Sequence, residues 1–146
     1  MNLYRIALAA FSVVCASQVA ANEQQYYSPR PLPECGSDTG VDCVRDGGTF
    51  WLSGRKVRIA EVVTPENPPL AQCDNERQLA KDATQGLIKM VSDKDLWIEY
   101  IAPEGDRWIA KVKAGCGERC SYDVAQSLVE SELALWPSKP KRWCGL

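Results

Sequence analysis

Apolar positions along this chain change their period several times, and each change marks an element. Residues 6–16 form one short apolar run, behind Arg5 and ahead of Val19-Ala20-Ala21. Residues 22–42 are rich in Gln, Pro, Ser and Gly, with Pro29, Pro31 and Pro33 spaced by two. They show no periodicity, which predicts an extended leader. From Val44 to Leu52 and from Arg55 to Val63, β-branched and aromatic residues crowd two arms around Ser53-Gly54, a two-residue turn suited to a tight hairpin. The second arm alternates Val57, Ile59 and Glu61 with Arg58, Ala60 and Val62, as a strand with one buried face does. In the first arm Gly47-Gly48 predicts a bend or a bulge.

Pro65, Pro68 and Pro69 make residues 64–72 a loop. From about Asn75 to Ser92, Leu79, Ala83, Leu87 and then Met90 or Val91 recur at helical spacing, and Asn75 with Gln78 resembles a capping box. Leu96 to Ile101 reads as a strand, Pro103-Glu104-Gly105-Asp106 as a turn, and Arg107 as the opening of a further strand, Trp108 to Lys113. Residues 115–120 read as a loop. Ser121 or Asp123 caps a second helix to about Ala134, with Val124, Leu128 and Val129 inward and Trp136-Pro137 beyond its end. The sum is an α+β chain, mainly β, and this order of strands and helices fits a small barrel of the OB type.

Composition narrows the class. The run at 6–16 is too short to span a bilayer, and its flanks predict a secretory signal peptide over residues 1–21. Cleavage after Ala21 leaves 125 of the 146 residues, divided into a leader over 22–40 and one folded unit over 41–144. It removes one arginine and no acid, so the formal charge moves from −2 to −3. That argues against a protein that coats nucleic acid through its whole surface. Lys139, Lys141 and Arg142 form a basic cluster that reads as a solvated tail. The expected destination is the periplasm or the exterior, with no further segment long enough to cross a membrane.

Seven cysteines are present, and loss of Cys15 with the signal peptide leaves Cys35, Cys43, Cys73, Cys116, Cys120 and Cys144. An even set in a small exported chain predicts a disulfide framework, and Cys116 with Cys120 are close enough to staple their own loop. Trp143-Cys144 suggests a tail fastened back onto the body. Zinc is the rival reading, opposed by the lack of any CxxC pair and of any histidine. The missing histidine also removes every Ser-His or Cys-His nucleophile, so a general base must be a carboxylate, a lysine or a tyrosine.

One spacing carries candidate chemistry. Arg58 and Glu66 stand at the two ends of the segment that holds Thr64-Pro65. A guanidinium fork matches phosphate oxygens, and a carboxylate can orient or deprotonate water. The plain alternative is a solvated ion pair at a strand end.

These residues belong to a longer pattern. Asp46-Gly47-Gly48-Thr49-Phe50, Val57-Arg58-Ile59 and Val63-Thr64-Pro65-Glu66 together resemble the signature of the staphylococcal nuclease (thermonuclease) family, close to DGDTF…VRI…D-T/A-P-E. Cys73-x-x-Glu76, Asp106-Arg107-Trp108-Ile109-Ala110 and Asp123-Val124 to Leu133-Ala134 follow in register. Arg142-Trp143-Cys144 resembles the ending of short exported bacterial members, and the likeness covers about residues 41–144. It implies a five-stranded OB-fold barrel with two helices and calcium-dependent cleavage of DNA and RNA phosphodiesters. Carried over by position, Arg58 and Arg107 would stabilise charge on the phosphorus, and Glu66 would act on the attacking water.

The pattern breaks at the metal. The usual ligand positions hold Gly48 and Val63, and the family's glycine before Leu-Ala is Glu132. Thr64 keeps its backbone carbonyl, and Asp46 and Glu61 are the acids placed to compensate, against the six to eight oxygens calcium takes. Asp106 beside Arg107 is expected to pair with it. The expectation is therefore a degenerate phosphodiesterase, without a cofactor, that binds nucleic acid, another anion or a partner protein. The alternative is an active secreted or periplasmic endonuclease that uses calcium.

Overall fold

Alternation along each strand sends one row of side chains inward and the other to the surface, and the sheet follows from that rule. The computed structural model describes residues 22–36, 41–116 and 121–145; the predicted signal peptide and Cys120 lie outside the described residues. The elements run β1 (Glu23–Tyr27), β2 (Cys43–Asp46), β3 (Thr49–Leu52), β4 (Arg55–Ile59), α1 (Asp74–Val91), β5 (Leu96–Glu104), β6 (Arg107–Gly115), β7 (Ser121–Asp123) and α2 (Val124–Glu130). The sheet order is β1-β5-β6-β4-β3-β2, with β7 on β6. All neighbours are antiparallel except β4 and β6, which pair in parallel through Val57↔Trp108, Arg58↔Ile109 and Ile59↔Ala110.

The fold is α+β and mainly β, with two helices, as expected. The five-stranded closed barrel is corrected to an open seven-stranded sheet, because no ladder joins β5 to β2. The leader lies there instead. Its residues 23–27 pair with β5, and Cys35 N and Pro33 O bond to Val44 of β2 at 2.8 and 2.7 Å. A segment predicted as a loose leader is thus an edge strand, held by ladder bonds that composition does not encode.

The Ser53-Gly54 turn forms as predicted, with φ of 49° and 79° at its two residues. The first arm does more than bend at Gly47-Gly48: it folds back on itself, pairing Val44 with Phe50 and Asp46 with Thr49. Gly47 is required there, since a Cβ would come within 2.5 Å of Ala83 Cβ on α1. The second arm leaves the sheet after Ile59, at Glu61 with its left-handed φ of 63°. Residues 121–123, expected to hold the cap of the second helix, form β7, and Asp123 then caps α2.

Phe50, Leu52, Val57, Ile59, Ile98, Tyr100, Ala110 and Val112 supply the inward row of the sheet, against Ala83, Leu87 and Val91 of α1 and Val124 and Leu128 of α2. Of the stripe read from the sequence, Ala83, Leu87 and Val91 are buried, Leu79 is half-buried, and Ala80 and Thr84 join them. The α1 cap is Cys73, whose sulfur accepts from Glu76 N at 3.4 Å, and not Asn75. Disulfides join Cys35 to Cys43 and Cys73 to Cys144, and the second fastens the tail to the start of α1. Cys116 is disulfide-bonded too. These bonds fit an oxidising compartment. Among the described residues no helix is long and apolar enough to cross a membrane.

The second helix ends at Glu130, short of the expected Ala134, because Glu132 turns left-handed with φ of 59°. Leu133 N donates to Leu128 O at 2.9 Å and Glu132 N to Val129 O at 3.0 Å, a Schellman pattern that glycine usually serves. Glu132→Gly is expected to stabilise the protein by about 0.5–1 kcal/mol, through relief of left-handed strain net of glycine's unfolded-state entropy. Urea unfolding measures it, and a loss of stability would show that the strain is absent.

Tyr100 is the largest fully buried side chain among the described residues, with its hydroxyl 2.8 Å from that of Tyr27 and the Arg55 guanidinium 4.7 Å from its ring centroid. Burial, and next the Tyr27 hydroxyl, push its pKa well above the ordinary tyrosine value of 10.0. A raised folded-state pKa keeps its stabilisation below the unfolded value and loses it as pH climbs beyond. Stability is thus expected to fall above about pH 10, and less steeply in Tyr100→Phe. Equal slopes in urea titrations of the two proteins would refute this origin.

Candidate functional site

The outward row of the central strands builds the site. On β4, Lys56 and Arg58 alternate with buried Val57 and Ile59. The ladders set Thr49 opposite Arg58 and Asp46 opposite Thr49, so Asp46, Thr49, Lys56 and Arg58 share one face. The parallel register brings Arg107, at the start of β6, to the same face. The loop after β4 crosses above them, tied down where Val63 and Leu135 exchange backbone bonds of 2.8 Å.

The result is a cavity of about 510 Å³ lined by Arg45, Lys56, Arg58, Arg107 and Lys141, with acids Asp46 and Glu66. Thr49, Val63, Thr64, Pro65 and Leu70 complete its wall. Arg58 and Glu66, from one segment, and Arg107, more than forty positions further along the chain, therefore line one space. Arg58 has no ion-pair partner among the described residues. Three cations were not foreseen as site residues. Arg45 and Lys56 carried no spacing signal, and Lys141 read as solvated tail until the Cys73–Cys144 bond brought the tail back.

The expected Asp106–Arg107 pair does not form. Gly105, at φ of 61°, closes a tight turn that sets Glu104 directly across from Arg107, and Arg107 Nε donates to Glu104 Oε2 at 2.7 Å. Asp106 at the turn tip reaches the neighbouring strand instead, 2.8 Å from Lys56 Nζ. Lys56 is 8% exposed, its stem buried and its ammonium 5.7 Å from the Trp51 ring centroid.

Glu76 positions the loop that carries Glu66. Its buried carboxylate accepts from Glu66 N at 3.2 Å and from Gln72 N at 2.8 Å, clamping both ends of the segment to the start of α1. Cys73, Glu76 and Cys144 lie within 4.8 Å of one another, but both sulfurs are spent in their disulfide and offer no thiolate to a metal.

Calcium finds a poor donor set. Side-chain oxygens in the wall come from Asp46, Thr49, Thr64 and Glu66. Asp46 Oδ1 accepts from Gly48 N at 2.9 Å, and a Cβ on Gly48 would stand 3.3 Å from Thr64 Cγ2. Glu61 sits exposed in its turn, outside the cavity lining. Two carboxylates among five cations do not fit an ion that takes six to eight oxygens and usually several carboxylates.

The geometry defines a class: a disulfide-stapled α+β domain with a cationic cavity on one face of its sheet. No protein-family model matches the chain, and no curated protein matches it. A solved structure that it matches is the extended Tudor domain TD3 of mouse TDRD1 in complex with a MILI peptide containing dimethylarginine 45. The identity is 13% and the TM-score 0.43, over 57% of this chain and 38% of that one. A likeness of that size bears on neither fold nor ligand.

Loss of the Glu76 clamp leaves two backbone donors without their charged acceptor. Glu76→Ala is expected to cost about 2–4 kcal/mol in urea unfolding, on the scale of two charge-assisted bonds. A change below about 0.5 kcal/mol, the scale of an ordinary surface substitution, would mean that the disulfide alone holds the loop.

Proposed function

We propose that this protein is an exported anion-binding module that holds the phosphodiester backbone of a nucleic acid strand between Arg58 and Arg107. The observation that supports it is the cavity's charge: five cationic side chains face two carboxylates, in a chain whose formal net charge is −2. Guanidinium forks pair bidentately with phosphate oxygens, and their charge-assisted bonds are roughly twice as strong as neutral ones. Lys141 and Arg45 extend the positive wall, and Leu70, 68% exposed, gives a sugar or base an apolar rim. The resemblance to the staphylococcal nuclease family fits this reading. So does an OB-type plan, for which the β2–β3–β4 meander returning in parallel to β6 speaks. Residues 1–21 direct export as a signal peptide.

Glu66 in the same cavity favours a second reading, a working phosphodiesterase in which Glu66 activates water while the two arginines neutralise the phosphoryl charge. The poor donor set for calcium places binding first.

Fluorescence anisotropy of a labelled oligothymidylate, run beside a cleavage assay with calcium, magnesium or chelator, separates the two. Expected is salt-sensitive binding without cleavage, weakened about tenfold or more by Arg58→Ala, the loss of one charge-assisted contact. Binding that Arg58→Ala leaves unchanged would overturn the proposal. Cleavage abolished by Glu66→Gln would establish the second reading instead.

A further inference from the structure

The outward rows of β1, β5, β6 and β7 form a second face. Cross-strand register sets Tyr26, Trp97, Lys113 and Asp123 side by side, with Gln24, Glu99 and Lys111 in the next row. They line a cavity of about 530 Å³ that shares no residue with the cationic one.

Two large aromatics stand at this surface, Tyr26 at 54% and Trp97 at 41% exposure. Their ring centroids are 5.6 Å apart with planes at 49°. Both are held in place. Tyr26 Oη donates to Asp95 Oδ1 at 2.5 Å, and the Trp97 ring lies against Gly115, where a Cβ would stand 3.4 Å from Cζ3 and 3.0 Å from Asp95 Cβ. Exposed aromatics locked in one orientation add little to the core, and they present fixed apolar faces to a ligand. Within the lining the charges cancel, Lys111 and Lys113 standing across from Glu99 and Asp123, while Asp95, bonded to Tyr26 outside the lining, adds one acid. Glu99 is further occupied by Asn22 Nδ2 at 2.8 Å.

A nucleic acid strand also stacks on aromatic rings, but here it would lack the net positive groove that supplies most of its affinity. What suits fixed rings within a neutral rim of amides, ammoniums and carboxylates is a molecule with an apolar face and a hydroxyl edge. We propose that this face binds a neutral oligosaccharide, with a pyranose lying C–H face down on Trp97 and Tyr26. Gln24, Lys111, Lys113 and Asp123 then hydrogen-bond its hydroxyls. This site is independent of the cationic cavity.

The test is an NMR titration of ¹⁵N-labelled, disulfide-intact protein with cellohexaose and with chitohexaose. The Trp97 indole N–H is assigned by its loss in Trp97→Phe. Expected is a saturable shift of that indole with at least one of the two sugars. Trp97→Ala and Tyr26→Ala are each expected to weaken binding about tenfold, the scale of one lost aromatic contact. Trp97→Phe keeps most of the affinity, and Arg58→Ala keeps all of it. An indole that moves with neither sugar overturns the proposal, and the parent protein alone decides this whatever the stability of the variants. A shift that survives Trp97→Ala elsewhere in the face overturns it too, as does an indole that responds to oligothymidylate or to a strand-forming peptide and not to sugar.

Discussion

Three residue pairs between β4 and β6 hold the molecule's two halves in one sheet. On one side lies the β2–β3–β4 meander, built from local turns; on the other lies the β5–β6 pair with its partners. Their parallel pairing joins residues some fifty positions apart, so α1 and its loop must close before the pairing forms. Every later feature depends on that register. It sets Val57, Ile59 and Ala110 into one core, and it lays Lys56, Arg58 and Arg107 along one outer face.

What surrounds this joint is held by bonds between distant parts of the chain. The N-terminal segment hydrogen-bonds to β5 and then to β2, so it covers the second edge of β5 and the outer edge of β2, and β1 itself becomes an edge strand. The Cys35–Cys43 bond pins that crossing beside β2. At the other end, Cys73–Cys144 ties the tail to the cap of α1, next to the Glu76 carboxylate that clamps the Glu66 loop. The wall of the cationic cavity thus contains a strand face, a clamped loop and a tethered tail. A carboxylate and a disulfide keep them together.

Charge is sorted by face. The anionic chain gathers its cations around one cavity, where the Glu104–Arg107 and Asp106–Lys56 pairs bring acids from a single tight turn against two of them. The cavity lining of the second face holds two acids and two lysines around the two rings. Net charge says little about either, because a local field is set by which side chains the ladders place side by side.

Local chemistry was legible in the residues. The Ser53-Gly54 turn, the long helix within one residue of its observed ends and the β5–β6 pair follow from short-range pattern, since turn chemistry and helical periodicity act within a few residues; the even set of cysteines pointed to disulfides and not to their partners. Arg58, Glu66 and Arg107 were singled out through a resemblance, and the three line one cavity. The sequence could not show that residues 23–27 form a strand, since their partners lie about seventy positions away. Nor could it show that Gly47-Gly48 reverses the chain, that α2 stops at a left-handed Glu132, or that Cys73 takes Cys144. Lys141 joined the cavity, and Tyr26 met Trp97, through cross-strand register and a long-range disulfide alone. Elements built on local turns and helical periodicity, with their inward faces, were thus written in the residues; which outward faces meet was settled by pairing between distant segments, which leaves no periodic trace in either of them.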